Sequence, residues 1–404
     1  MDSELPSPTL VETDAALSRL LEGIENAPEI AVDTEGDSFF SYPDKVCLVQ
    51  LTALEKDWLV DPLAGLDLSR LGRVMADPKR QKIFHDGEYD IASLKRDYGI
   101  QFKNLFDTRV AAAALGATNP GLATVLEERF GIRLDKSLQR SEWSRRPLTD
   151  KQIRYAQLDT HFLKKLMDEQ RPELLARGRM MIVEGECRRL ERLVPPETSF
   201  DPDEFVRLKG ARELEPIQRQ ALRELYILRE KLSVELGRPP FKVIGNESLV
   251  MIATGMPKSM FQLRRINGFS HGQIRRLGRE VLEAILRARE AGPMARLPKL
   301  PNREGTTGFS DEEAELHERL KQWRKVTAAE MQIDSAYLVN RHVLLRIAKV
   351  RPKAVAALQA IEGIEPWQVE RFGEAILEIV QRFEEDLRKG KVQFRRFRGR
   401  QKTE

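Results

Sequence analysis

Residues 29–34 read Glu29-Ile30-Ala31-Val32-Asp33-Thr34, an apolar run of three closed by polar residues. Such a run is the signature of a buried β-strand. Working outward, Val46–Thr52 (V-C-L-V-Q-L-T) reads as a second strand and Trp58–Val60 as a third. Lys82–Phe84 reads as a short fourth, followed by a helix with Ile91 and Leu94 on one face. From Asn119 onward the apolar spacing is helical almost throughout. Strands first and helices later predict a mixed sheet with flanking helices, an α/β domain, followed by all-α domains.

The all-α part repeats itself at an offset of 95 residues. Arg229 matches Arg324, Leu249 matches Leu344, Ile252-Ala253 matches Ile347-Ala348, and Pro257-Lys258 matches Pro352-Lys353. Leu263, Ile266, Gly268, Gln273, Arg276, Gly278 and Leu282 continue the series as Leu358, Ile361, Gly363, Gln368, Arg371, Gly373 and Leu377. Each copy has roughly 80 residues, enough for a core of its own, so two duplicated domains are expected. Gly268 and Gly363 suit tight turns between helices. Residues 292–309 are rich in Pro and Gly and read as a linker.

Composition narrows the class. Of 404 residues, 41% are hydrophobic and 32% charged, as in a globular protein. No apolar run approaches the ~18 residues of a membrane span, and Met1-Asp2-Ser3-Glu4 lacks a signal pattern. The two cysteines, Cys47 and Cys187, exclude a disulfide framework or a cysteine zinc site, and they suit a reducing cytoplasm. Charge is unevenly spread. Residues 1–170 hold 22 Lys+Arg against 29 Asp+Glu; subtracting from totals of 67 and 63 leaves 45 against 34 in residues 171–404. An acidic part joined to a basic part suggests cation chemistry in one and polyanion contact in the other. From Arg388 to Glu404 stand eight basic residues and one acid, with Phe394 and Phe397 interleaved, a composition suited to phosphates and bases.

Particular carboxylates stand out. Asp33 and Glu35 are two apart at a strand end, so both side chains leave one face of the sheet. Two buried carboxylates repel unless cations neutralise them, and Mg²⁺ favours such oxygen ligands. The competing reading is a solvated strand end. Asp90 lies in F-H-D-G-E-Y-D-I-A-S-L, where Asp86 can cap the helix and leave Asp90 facing the strand ends; a first-turn acid favoured by the helix dipole is the alternative. Tyr155 and Asp159, in Y-A-Q-L-D, share a helix face at i,i+4 spacing. A Tyr there can orient a water, or simply be half-buried.

Taken in order, D-T-E-G, F-H-D-x-x-x-D-I-x-x-L and R-P-L-T-D-K-Q-I-R-Y-A-Q-L-D resemble the three motifs of the DEDD exonuclease superfamily. The tyrosine four before the last Asp resembles its DEDDy branch. N-L-F-D-T at 104–108 and S-E-W-S-R-R-P-L at 141–148 resemble the ribonuclease D family, and the repeats resemble HRDC domains. The resemblance implies a ribonuclease H-like exonuclease domain over 1–170, a helical linker over 171–210 and a first HRDC domain over 211–292. It further implies a linker over 293–310, a second HRDC-like domain over 311–388 and a basic tail over 389–404.

It implies a 3′→5′ exoribonuclease with two divalent ions, Mg²⁺ or Mn²⁺, held by Asp33, Glu35, Asp90 and Asp159, with Tyr155 orienting the attacking water. Products would be nucleoside 5′-monophosphates, and the partner RNA, a tRNA precursor or other 3′ end. A cytoplasmic monomer without membrane contact is expected. Lys136 and Gln139 would face the substrate groove; the alternative is a surface loop beside a buried Trp143. His85 is read as a packed histidine and Asp107 as a helix cap. A DNA exonuclease would use the same acids, and a non-catalytic RNA-binding scaffold is the remaining rival.

Overall fold

Strand β2 (Glu29–Gly36) lies near the middle of a six-stranded sheet. β1 (Thr9–Val11), β4 (Lys56–Val60), β3 (Val46–Ala53), β2, β5 (Gln81–Phe84) and β6 (Leu105–Asp107) follow in that spatial order. β3 runs antiparallel to both β2 and β4, and the remaining pairs are parallel. β3 is buried along its whole length, which explains its unbroken apolar run. The three-residue edge strands β1 and β6 add to the four expected from the sequence. The computed structural model describes residues 5–195, 199–300 and 310–392, apart from the Lys136 side chain. The tail beyond 392 and half of the 293–310 linker, residues 301–309, lie outside the described residues.

Helices α1 (Asp14–Gly23), α2 (Gly72–Met75), α3 (Glu88–Tyr98), α4 (Thr108–Ala114), α5 (Leu122–Phe130), α6 (Asp150–His161), α7 (Leu163–Ala176) and α8 (Met180–Glu191) accompany the sheet. α6 starts on a capping box, Thr149 with Gln152, worth about 1 kcal/mol. Asp86 does not cap α3, contrary to the sequence reading. It takes φ 66 and pairs with Arg109 at 3.2 Å. Asp107 does the work from β6: its carboxylate accepts the backbone N–H groups of Asp86 (3.1 Å), Gly87 (2.9 Å), Arg109 (2.9 Å) and Val110 (3.1 Å). One buried side chain thereby caps α4 and holds the turn that leads into α3.

Segment 171–210, expected as a helical linker, is helical and packed on the sheet domain. α7 runs into it, and α8 buries Ile182, Val183, Cys187 and Leu190 against β6 and α4. Lys95 then holds the chain as it leaves α8, donating to the carbonyls of Glu191 (2.7 Å) and Leu193 (2.8 Å).

The repeat is structural. Copy one has α9 (Pro216–Leu236), α10 (Pro240–Val243), α11 (Asn246–Gly255), α12 (Met260–Leu263) and α13 (His271–Ala291). Copy two has α14 (Asp311–Met331), a 3-10 turn at Ser335–Tyr337, α15 (Arg341–Val350), α16 (Val355–Gln359) and α17 (Pro366–Arg388). Equivalent bonds recur at the same offset. Arg229 donates to the Ile244 carbonyl and Arg324 to that of Val339. Gln273 donates to the Val243 carbonyl and Gln368 to that of Leu338. Gly268 and Gly363 take φ 79 and 84, the left-handed turn that needs glycine.

The copies differ in what they pack on. Copy one has a separate core around Phe205, Leu222, Leu225, Ile252 and Val281. Copy two does not: Leu316, Leu344, Phe372 and Phe383 belong to the same core as the sheet. Glu365 pairs with Arg188 at 3.0 Å and with Arg192. Trp367 presses so closely on α8 that a Cβ at Gly185 would lie 2.5 Å from its Nε1.

Candidate active site

The strand end of β2 carries Asp33 and Glu35, the first turn of α3 carries Asp90, and α6 carries Tyr155 at its middle and Asp159 in its last turn. Asp33, Glu35 and Asp159 each offer an oxygen within 4.8 Å of the others. Asp90 stands beside them, accepting a 2.5 Å bond from the Thr34 hydroxyl. Thr34 points to the opposite face from Asp33 and Glu35 because strand side chains alternate.

Burial raises every one of these acids, and repulsion from its neighbours in the site adds to this at Asp33, Glu35 and Asp159. Asp33 is held well above the usual carboxylate range, by burial first and then by the charges of Asp90, Asp159 and Glu35. Glu35 is pushed up to about 9 by burial and by Asp159 and Asp90. Asp159 is raised by burial, against the opposing bond from the Tyr155 hydroxyl. Asp90 reaches about 7, burial outweighing the bond from Thr34. Four acids that cannot all ionise together are a strong attractor for cations. The oxygen-only donor set fits a hard divalent ion.

Tyr155 is buried against Trp143, ring centroids 6.0 Å apart. Burial and then the charges of Asp159, Glu35 and Asp33 raise its hydroxyl, partly offset by a bond with the Gln139 side chain. Gln139 thus adjoins Tyr155 although Gln139 itself is exposed on its helical turn (Lys136–Arg140). The Lys136 side chain lies outside the described residues. Trp143 is fully buried, and His85 is packed, its Nδ1 2.9 Å from the Thr108 hydroxyl. Burial lowers His85 to about 4.

Two neighbours escaped the sequence reading. Thr34 is one. Gln50 is the other: it is the β3 partner of Asp33, fully buried, with neither amide atom bonded. The register of β2 on β3 carries that information, and single-chain spacing does not.

Residues 8–175 match the 3'-5' exonuclease domain model, and residues 218–285 and 313–380 each match the HRDC domain. Ribonuclease D of Acidiphilium cryptum (strain JF-5) is 31% identical over 299 residues, covering 73% of this chain and 76% of that protein. The chain belongs to the ribonuclease D family of 3′→5′ exoribonucleases. The crystal structure of Escherichia coli RNase D, 27% identical, matches with a TM-score of 0.68 over 93% of this chain and 99% of that one. Yeast exosome complex exonuclease RRP6 is 32% identical over 265 residues, 62% of this chain. This chain's match covers only 36% of RRP6. With ribonuclease D it shares the order of mixed sheet and then helical HRDC region. Among the described residues no helix is long and apolar enough to cross a membrane.

Proposed function

We propose that this chain hydrolyses structured RNA, tRNA precursors among it, from the 3′ end with two divalent ions, Mg²⁺ or Mn²⁺, and releases nucleoside 5′-monophosphates. The observation carrying this is the convergence of Asp33, Glu35 and Asp159 within 4.8 Å, with Asp90 and Tyr155 adjoining. The E. coli relative is described as an exoribonuclease involved in structured RNA processing, and we carry that substrate class over. On this reading it acts as a cytoplasmic monomer.

Asp33, Glu35 and Asp159 would hold one ion, and Asp33 would share a second that Asp90 assists. Bound ions supply charge neutralisation for the phosphodiester and an activated water. Tyr155 keeps its proton, since its hydroxyl is raised above the ordinary value near ~10. It therefore orients the attacking water rather than deprotonating it. Gln139 bonds the Tyr155 side chain, and Lys136 would take a phosphate.

The test is digestion of a tRNA precursor with an extended 3′ tail, with and without Mg²⁺ or Mn²⁺, products weighed by mass spectrometry. Stepwise loss of nucleoside 5′-monophosphates by the wild type, absent in Asp33→Asn, is expected. Equal release by both proteins removes the catalytic assignment. A matched DNA strand digested as fast as the RNA removes the RNA preference.

A further inference from the structure

The loop between β2 and β3 begins at the acidic pocket and ends against copy one. Tyr42 fastens it there: its hydroxyl donates to Glu230 at 2.7 Å, and its backbone N–H to the Gly237 carbonyl at 3.2 Å. These polar bonds already join the two domains. Yet Phe39 of the loop and Phe241 of α10 also meet edge to face, ring centroids 6.3 Å apart at 76°. They remain 47% and 54% exposed. A contact serving only to hold the domains would bury its rings, so these two faces are open to something else.

Cations flank the pair. The Arg140 guanidinium lies 5.5 Å from the Phe39 ring centre, and the Lys242 ammonium 4.2 Å from that of Phe40. Arg140 closes the same helical turn as Gln139, the neighbour of Tyr155. Phe39 is four residues beyond Glu35, no more than about 14 Å along the chain. Copy two supplies an internal control. At the 95-residue offset, Phe241 and Lys242 become Ala336 and Tyr337. That turn also meets the exonuclease domain, through Arg109 donating to the Tyr337 hydroxyl at 3.2 Å. So the fold docks this turn without an exposed aromatic, and the phenylalanine is peculiar to the copy beside the β2–β3 loop.

Exposed rings with basic neighbours at the rim of a phosphodiester-cleaving pocket match the chemistry of unpaired nucleic acid: bases stack on the rings and cations take the phosphates. Resting on the exoribonuclease reading above, the geometry points to a two-domain stacking platform. Phe39 and Phe241 hold a base of the single-stranded 3′ segment of the RNA a few nucleotides upstream of the cleaved bond, with Arg140 and Lys242 on its backbone. The first helical domain is then part of the substrate channel.

The experiment measures binding of fluorescein-labelled single-stranded RNA by full-length protein in the Asp33→Asn background with Mg²⁺ present. If that parent degrades the RNA or fails to bind it, the exoribonuclease reading itself fails. If it binds, Phe241→Leu should raise Kd about tenfold and Phe241→Trp should restore it, with melting temperatures unchanged. Abasic substitution at one upstream nucleotide should weaken the parent equally and add nothing to Phe241→Leu. Unchanged Kd in Phe241→Leu overturns the platform. So does an abasic loss that simply adds at every position, or a lowered melting temperature that Trp fails to repair.

Discussion

Thr34 and Asp90 sit on different elements, yet the hydroxyl of one donates to the carboxylate of the other at 2.5 Å. This bond favours the charged form of Asp90 against the burial that raises it. It couples the strand of the first motif to the helix of the second.

Removing the donor should therefore move a titration. Thr34→Val keeps the shape and deletes the hydroxyl. The acidic limb of the pH profile of kcat/KM should shift upward by about one unit, the scale of one bond to a charged group. Nucleotide release measured from pH 5 to 9 at fixed Mg²⁺ checks this, and a limb that stays put would show that Asp90 does not govern it.

Metal-free protein should lose stability as pH rises. Glu35 moves from 4.5 to about 9 and Asp90 from 3.8 to about 7 on folding. Between those limits the folded state holds more protons than the unfolded one, so unfolding becomes easier with pH. Their contribution is complete below the unfolded values and gone above the folded ones. Divalent ions replace the protons, so the rise in Tm on adding Mn²⁺ should grow from pH 5 to pH 9. Thermal melts in EDTA and in Mn²⁺ across that range measure it; a metal effect independent of pH would contradict the repulsion.

Tyr155→Phe should lower kcat about 10- to 100-fold, the usual loss when a reacting group is misoriented rather than unprotonated. Its metal half-saturation should stay at the wild-type value, because the tyrosine is not a ligand. A variant that turns over like wild type would leave the hydroxyl a packing role only.

Gly185→Ala should destabilise the protein, although alanine is the better helix former by about 1 kcal/mol. The added methyl would meet the Trp367 indole, and overpacking of this kind costs about 1–3 kcal/mol. Combining it with Trp367→Leu should recover part of the loss. Denaturant unfolding of the single and double variants decides, and strictly additive losses would mean that the two side chains do not meet.

The site was legible wherever local periodicity carried it. Asp33 with Glu35 follows from the two-residue repeat of a strand, and Tyr155 with Asp159 from the turn of a helix. Asp90 stood out through its motif, and the offset of 95 through plain identity. What failed was long-range. Asp86 caps nothing; its own backbone N–H is held by Asp107 because the end of β6 lies beside that turn, a neighbour 21 positions away. Gln50 stands against Asp33 only through strand register. The three-residue β1 and β6 are too short to show a period. α8 is visibly amphipathic, but spacing alone does not say which surface its apolar side covers.

The shared core of the sheet and copy two reverses what chain order suggests. The module farthest from the acids in sequence is the one welded to their scaffold. The nearer module keeps an interior of its own and is fastened by few bonds. Cutting the chain before residue 311 would remove Leu316, Leu344, Phe372 and Phe383 from the core they share with the sheet, whereas exchanging copy one for a relative's would leave that core intact. Variation in substrate handling thus has a detachable part to act on, and the catalytic frame does not.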